Sequence, residues 1–425
     1  MKQISKNPYQ NYSFEDLIND KDAFIDKTEF IQTLYDLDSP YPILLRPHGF
    51  GKSLFIQMLY YYHDEYYKDR YDDIFKGTKI HELNSVPHNF YHVIKFDFSK
   101  VNGTTCKEIL TNFNSCVFEA IDDFLRRYPK VEFKREHYEN LGPGSVIGGF
   151  LTQYALDYHC REHKVYVMID GYDAFLEPFL GKELDAEFKN ALSYIISFYA
   201  SLKSLTCDMI AKIFITGCIS IGLDYFNITC NEFFLDDFNE YCGFNKHELT
   251  TLVDKLIDTQ ALNTSASAIA DNLSLAYGGY SFSYKGNRTV INPSFCLKYL
   301  QKVRNTNSLP NPKEVIENEL KLNNDLLKII IDGIPKIDLK VSLDSNYDVE
   351  EKELLERRIK ECINIKYGNE VDPLDYFSIL YYLGYLTQSP SNSYTRSHLV
   401  FPNEPIQSIV EPYFTNALNY DYRKG

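Results

Sequence analysis

A glycine, a lysine and a serine in the first part of the chain could together bind phosphate. Gly51, Lys52 and Ser53 follow the apolar run 43–45 and precede a helix-like run. A backbone that wraps around an oxyanion needs glycine at the turn, a lysine for the outer phosphates, a hydroxyl for Mg²⁺ and a helix whose free N–H groups face the anion. The full pattern has another glycine five residues before Gly51, where this chain has Arg46. The spacing therefore predicts a phosphate-binding loop (P-loop) of degenerate form.

Polar residues end two further apolar runs. The run 165–170 ends in Asp170, and the run 211–217 ends in Thr216 and Gly217. In P-loop enzymes an Asp after a buried strand holds the Mg²⁺ that also meets the loop hydroxyl. A third run, 91–98, could flank these two. Buried strands that alternate with helical stretches predict an α/β fold, a doubly wound parallel sheet with its ligand at the carboxyl ends of the strands.

The residue that would activate the attacking water is missing from its usual place. P-loop ATPases with an extra strand between the P-loop strand and the metal-binding strand usually have Glu directly after the metal-binding Asp. This chain has Gly171 there, and the next acids are Asp173 and Glu177. Either acid could substitute only if the loop turned back, and solvated loop acids are the simpler interpretation.

Several short motifs together resemble one family. The chain is similar to the AAA-ATPase-like proteins that are often fused to a PD-(D/E)XK nuclease-like domain. The resemblance implies a P-loop NTPase fold that binds ATP and Mg²⁺, and the family tolerates arginine at position 46. No nuclease cluster of carboxylates and lysine is visible, so we expect the chain to lack that part. The matching stretches, in the family's order, are 24–31, 45–54, 169–173, 214–217, 241–244, 277–282, 292–293 and 380–387.

The departures from the family pattern concern catalysis more than binding. Family members usually have Arg-Arg at His48 and Gly49, Glu at Gly171, and Arg at Ser281. Three cations and the water-activating acid are therefore missing. We expect nucleotide binding to survive, and turnover to be weak or absent.

Composition limits the class of protein. The 425 residues are 44% hydrophobic and 24% charged, which is ordinary globular usage for two or three domains. The net charge of −15 argues against tight DNA binding, because binding to phosphates relies on Lys and Arg. One basic stretch, 126–137, is interpreted as a solvated helix face. The nine cysteines include no C-x-x-C pair, and the N-terminus lacks an apolar signal core, so we expect an intracellular, cytoplasmic protein, with a nuclear location also open.

The predicted organisation has three parts. Residues 1–240 form the P-loop NTPase-like core with an N-terminal helical segment, in which Asp26 to Thr28 lie beside the nucleotide or form a capping turn. Residues 241–305 form a helical lid, with Asn245 and Glu248 as a capping box. Residues 313–425 form a winged-helix-like module that packs on other domains or partners. The glycine cluster 142–149 indicates a loop.

The expected function is that of an ATP-binding switch with Mg²⁺ and weak or absent hydrolysis. The alternatives are a nucleotide-independent protein-interaction module with a relict site, and an active ATPase with a non-standard base such as Asp173. A protein partner or self-association is expected in either case. The assigned nucleotide-binding residues are Arg46, Gly49, Gly51, Lys52, Ser53, Leu54 and the γ-phosphate sensor Thr216, and the metal residues are Ser53 and Asp170.

Overall fold

The structure is a computed structural model of the chain. It describes residues 13–19, 24–37, 39–103, 105–158, 164–179, 186–206, 208–219, 236–283, 288–320, 347–349, 379–389 and 397–422.

A parallel sheet forms the centre of the core. Its four strands lie in the order β1-β4-β3-β2, so β4 lies between the P-loop strand and the strand that ends in Asp170. Every residue of β3 is buried, as the continuous apolar run predicted. The prediction of an α/β fold with a parallel sheet is confirmed. The strands are β1 (Ile43–Leu45), β2 (His92–Asp97), β3 (Val165–Asp170) and β4 (Ile210–Gly217).

Helices cover both faces of this sheet. On one face, Phe96 of β2 contacts Phe198 of α8, with ring centroids 5.0 Å apart. On the other, Lys95 of β2 lies over the ring of Tyr60 in α3. The helices are α1 (Phe14–Asn19), α2 (Phe30–Asp36), α3 (Lys52–His63), α4 (Tyr71–Phe75), α5 (Lys79–Leu83), α6 (Cys106–Arg127), α7 (Pro143–Tyr158), α8 (Ala186–Ser204), α9 (Lys246–Leu256), α10 (Ala266–Tyr277), α11 (Pro293–Thr306), α12 (Pro312–Leu320) and α13 (Glu404–Tyr422).

The glycine cluster lies in a helix, and the loop prediction at 142–149 is wrong. Helix α7 begins at Pro143 and includes three of the glycines. A Cβ at Gly144 would lie 2.6 Å from the carbonyl oxygen of Ser197 in α8, and one at Gly149 would lie 2.2 Å from the ring of Tyr138. Glycine is therefore used here for close packing of helices.

Two helices of the region predicted as a lid begin where their sequence signals indicated. Asn245 and Glu248 form the predicted capping box at the start of α9. Asn292 caps α11, where Pro293 occupies the first helical turn and its missing N–H costs nothing. The three helices α9, α10 and α11 make up this region.

The predicted capping role of the segment before α2 is observed, but on another helix. The Asp26 carboxylate accepts from the backbone N–H of Lys79 at 2.8 Å, and the Thr28 hydroxyl accepts from that of Ile80 at 3.0 Å. Both acceptors serve the start of α5. These two side chains therefore join the N-terminal segment to the core.

A second, antiparallel sheet lies in the C-terminal region. Its order is β5-β7-β6, from β5 (Tyr347–Val349), β6 (Thr387–Gln388) and β7 (Ser397–Val400). The helix predicted over 375–386 ends at residue 382, and Gly384 follows with φ +84°. Residues 375–378 lie outside the described ranges. The winged-helix assignment stays a prediction.

Three arginines of the basic stretch at 126–137 form ion pairs with aspartates that lie outside the stretch. Arg126 pairs with Asp123 at 3.0 Å, Arg135 pairs with Asp122 at 2.9 Å, and the buried Arg127 pairs with Asp64. This pairing agrees with a structural helix face. Separately, none of the helices within the described ranges combines the length and the apolar character needed to cross a membrane.

Candidate functional site

The predicted P-loop connects β1 to α3. Gly51 is the N-cap of α3 with φ +101°, a left-handed conformation that favours glycine. The helix begins at Lys52, so the N–H groups of its first turn, which includes Ser53 and Leu54, have no carbonyl partner inside the helix. Those groups and the helix dipole favour negative charge at this end of α3, as the predicted phosphate site requires.

Lys52 is held over the loop by the loop's own backbone. Its Nζ donates to the carbonyl oxygens of Arg46 at 2.8 Å and Pro47 at 2.9 Å, and lies 3.3 Å from the Cys218 Sγ. Burial alone would lower the pKa of Lys52. The Cys218 thiol and the Asp173 and Asp170 carboxyls more than offset this, so the pKa is raised and the amine stays protonated. A cation is therefore fixed where the outer phosphates would lie.

The two predicted metal residues meet in the structure. The Ser53 hydroxyl lies close enough to the Asp170 carboxyl to affect its pKa, and Asp170 is buried at the end of β3. Burial raises the pKa of Asp170, although the Ser53 hydroxyl and the Lys52 ammonium both act against that rise. A hydroxyl and a carboxylate are hard oxygen donors of the kind that Mg²⁺ takes alongside waters and phosphate oxygens. The pair therefore fits the predicted metal.

A complete protein cage for a metal is not seen. Within the described residues, no group of three or more His, Cys, Asp or Glu side chains could hold a metal ion. Mg²⁺ in phosphate sites usually keeps several waters and binds one or two protein groups together with the substrate phosphates. The Ser53 and Asp170 pair supplies what such a site needs from the protein.

Gly171 has a conformation that a glutamate would not readily adopt. Its φ is +67°, and a Cβ there would lie 2.7 Å from the backbone nitrogen of Ser99 and 2.9 Å from the Ser99 Cα. The segment after β2 therefore fills the space that a side chain at 171 would need. The backbone conformation at this position, as well as the sequence, therefore disfavours the usual acid.

Asp173, the predicted alternative base, is committed to the backbone. Its Oδ2 accepts hydrogen bonds from the N–H groups of Cys218, at 2.9 Å, and Ile219. Burial raises its pKa to about 6. Because its carboxylate is buried and holds the turn after β4, this geometry assigns it a structural role and does not support the base assignment.

Thr216, the predicted γ-phosphate sensor, also bonds within the fold. Its hydroxyl donates to the carbonyl oxygen of Leu44 in β1 at 2.5 Å, and it interacts with the Tyr241 hydroxyl. A hydroxyl has one proton to donate. In this conformation the proton links β4 to β1, so the sensor assignment is not supported by the observed geometry.

Arg46 points away from the phosphate cradle. Its guanidinium is fully buried and donates to the carbonyl oxygens of Leu45, at 2.7 Å, and Phe238. The guanidinium carbon lies 4.7 Å from the ring centroid of Tyr241 and 4.3 Å from that of Phe282. Burial lowers its pKa despite these neighbours. The nucleotide-binding assignment of this side chain is therefore revised: Arg46 is an anchor between the loop and the segments at 238–241 and 282.

Backbone hydrogen bonds join the predicted lid region to the loop. Ser294 of α11 donates its backbone N–H to the carbonyl oxygen of Gly49 at 3.1 Å, and a Cβ at Gly49 would lie 2.7 Å from the Ser294 Cβ. Gly243 donates to the carbonyl oxygen of Phe50 at 3.0 Å. Gly49 therefore serves as the close-approach point between the loop and α11. The loop is therefore bonded directly to α11 and to the segment before α9.

A cavity of about 330 Å³ opens beside the loop. Backbone of the loop and the first turn of α3 form one wall, and the N-terminal segment and α11 form others. Lys27, which lines the cavity from the N-terminal segment, pairs with Glu248 of α9 at 2.8 Å. The apolar side chains that line the cavity include Phe14, Leu17, Phe24, Ile25, Leu54, Phe55, Met58, Phe244 and Leu297.

Sequence reasoning missed two parts of this site. The cavity lining at Phe14, Leu17 and Leu297 carries no local motif. Asp97 ends β2 in register with Asp170. An acid at the end of the apolar run 91–98 was the available signal for Asp97.

One sequence comparison gives a positive result. The model of the AAA-ATPase-like family, which is described as a predicted AAA-ATPase, matches residues 8–226. This is just over half of the chain. The matched residues include the P-loop and all four strands of the parallel sheet. Among curated proteins, none matches this sequence.

Proposed function

The chain belongs to the AAA-ATPase-like family, and on this premise we propose that it binds ATP with Mg²⁺ and uses the bound state as a conformational signal. The observation that carries the proposal is the convergence of three groups at one helix end. Lys52 is held protonated by the loop carbonyls, and Ser53 lies beside Asp170. The phosphates, the Mg²⁺ ion and the nucleobase would then bind at adjoining positions.

The cavity supports the nucleoside part of the proposal. It adjoins Gly49, Gly51 and Ser53, so a nucleotide whose phosphates lie on the loop would direct its base into the apolar space. Pockets of about 300–1,000 Å³ with mainly apolar walls are typical of small-molecule sites. Phe14 and Phe24 place aromatic rings there for contact with a base.

The signalling part rests on what the loop touches. Gly49, Phe50 and Arg46 are each bonded to segments beyond residue 237. The Gly384 backbone lies close to Pro47, because a Cβ at 384 would be 2.9 Å from the Pro47 Cβ. Phosphate binding that shifts the loop would therefore shift both the lid region and the C-terminal region. Hydrolysis is expected to be slow, since Gly171 supplies no acid.

We expect Mg·ATP to raise the melting temperature, and Lys52→Ala to remove that rise while leaving the protein folded. Ligand at about 100 times its dissociation constant adds roughly 2.7 kcal/mol to the stability of the folded state. Thermal unfolding with and without millimolar Mg·ATP measures the effect. Lys246→Ala is the matched control, because Lys246 is an exposed surface lysine and its loss should leave the shift intact. A wild type with no shift would favour the nucleotide-independent interaction protein.

We also expect ATP to bind more tightly than GTP. Among the described residues that line the cavity there is no Asp or Glu to accept the N1 and N2 protons of guanine. Burying a donor without a partner costs about 1–3 kcal/mol, so a preference of about tenfold or more is expected. Calorimetric titration with ATP, GTP and inorganic triphosphate measures it. Equal affinities for all three would show that the base does not enter the cavity.

A further inference from the structure

Asp97 lies beside the metal-binding carboxylate on the neighbouring strand. It is the last residue of β2 and is the register partner of Asp170, the last residue of β3. The two strands are parallel, so both side chains emerge at the same edge of the sheet and on the same face. This is the edge where the P-loop and Ser53 lie.

The face on which Asp97 lies can be read from its neighbours along β2. Side chains alternate between the faces of a strand, so Lys95 and Asp97 share one face and Phe96 takes the other. The Lys95 Nζ lies 5.4 Å from the ring centroid of Tyr60 in α3, whereas Phe96 packs on Phe198 of α8. Asp97 therefore faces the side of α3, the helix that begins at the P-loop.

The Asp97 carboxylate is accessible, unlike that of Asp173. Its side chain is 36% exposed, and its Oδ2 lies 3.4 Å from the Nζ of the exposed Lys100. Its Oδ1 accepts from the Ser99 backbone N–H at 3.2 Å and from the Ser99 hydroxyl. These contacts fix the carboxylate while leaving it open to water.

Gly171 and Asp97 are two aspects of the same arrangement. The backbone of Ser99, two residues after Asp97, occupies the space that a side chain at 171 would take. The segment after β2 therefore blocks a side chain at residue 171, and the same segment begins with the carboxylate of Asp97.

We propose that Asp97 positions the attacking water in a slow ATP hydrolysis at this site. The inference rests on the proposed nucleotide function and adds a catalytic residue to it. The water oxygen forms a bond to the γ-phosphorus while the bond from that phosphorus to the β,γ-bridging oxygen breaks. ADP leaves with the bonding electron pair, and Asp97 accepts the water's proton and passes it to solvent.

The test is Asp97→Asn, with binding and turnover measured on the same protein. Asparagine keeps the side-chain oxygen that accepts the Ser99 backbone N–H, a substitution that is well tolerated at such capping positions. It lacks the second carboxylate oxygen and the negative charge. We expect the Mg·ATP thermal shift to be unchanged and turnover to fall by about 10²–10⁴-fold or to the level of Lys52→Ala, whichever is reached first. Lys246→Ala, the surface control for binding, leaves Asp97 and its contacts in place, so its turnover should equal that of wild type.

The outcomes separate this inference from the nucleotide function. Turnover in Asp97→Asn equal to that of wild type would overturn the role of Asp97. A wild type that shows the thermal shift but no turnover above Lys52→Ala would also overturn it, and would leave ATP binding in place. A wild type with no thermal shift would overturn both proposals.

Discussion

Replacing Gly171 by glutamate is expected to destabilise the protein by about 2–4 kcal/mol and not to restore hydrolysis. The change recreates the Asp-Glu pair that sequence comparison with P-loop ATPases suggests. However, residue 171 has φ +67°, and any Cβ there meets the Ser99 backbone at 2.7 Å. A positive φ costs a non-glycine residue about 1–2 kcal/mol, and the clash with fixed backbone adds to that cost. Chemical denaturation of wild type and variant measures the loss.

Two alanine variants separate the causes of this expected loss. Gly171→Ala has the same Cβ without the carboxylate, so it should lose much of the same stability. Gly77→Ala has a comparable φ of +85° with nothing within 4 Å of the added Cβ, so it reports the strain alone and should lose less. A Gly171→Glu protein that is as stable as wild type and hydrolyses ATP faster would show that residue 171 can rearrange to bring an acid beside the metal.

Replacing Arg46 by glycine, which restores the full P-loop pattern, is expected to cost about 3–5 kcal/mol of stability. The buried guanidinium donates to the Leu45 and Phe238 carbonyl oxygens and packs against the rings of Tyr241 and Phe282. Its removal leaves two carbonyls without their donor and a cavity between the rings. It also releases the lid-side segment from the loop, so the thermal shift with Mg·ATP should shrink as well.

The controls for Arg46 test the geometry of the anchor. Arg46→Lys keeps the charge but cannot reproduce a planar fork stacked between two rings, so it should recover only part of the loss. Arg126→Ala removes an exposed arginine with a surface ion pair, which is typically worth about 0–1 kcal/mol. If Arg46→Gly unfolded at the same denaturant concentration as Arg126→Ala and bound ATP more tightly, the arginine would be a substitute for the missing glycine and not an anchor.

Local patterns in the sequence were sufficient for the strands and for the phosphate end of the site. The apolar runs at 165–170 and 211–217 form parallel strands at the centre of the sheet, because a strand covered on both faces needs mainly apolar side chains. Gly51, Lys52 and Ser53 lie at the start of α3, and Asp170 reaches Ser53. Each of these features depends on neighbours in sequence or on one strand ending at a shared edge. The loop predicted at 142–149 was wrong because glycine there serves helix packing across the chain.

Tertiary structure decided the direction of each side chain that needed a distant partner. Arg46, Thr216 and Asp173 were placed at the nucleotide by sequence reasoning, yet they bond to Phe238, Leu44 and Cys218, respectively. Those partners come from other strands or from beyond the sheet, so no local pattern could indicate them.

The sequence by itself predicted a P-loop with a lysine and a hydroxyl at its end, and a carboxylate on a buried strand beside it. Only the tertiary structure decided where the second acid lies. The register of β2 on β3 aligns Asp97 with Asp170, and the left-handed backbone at Gly171 makes room for Ser99. Strand register and long-range packing are set by many contacts acting together across the core, whereas motif spacing is set by the few residues within a turn.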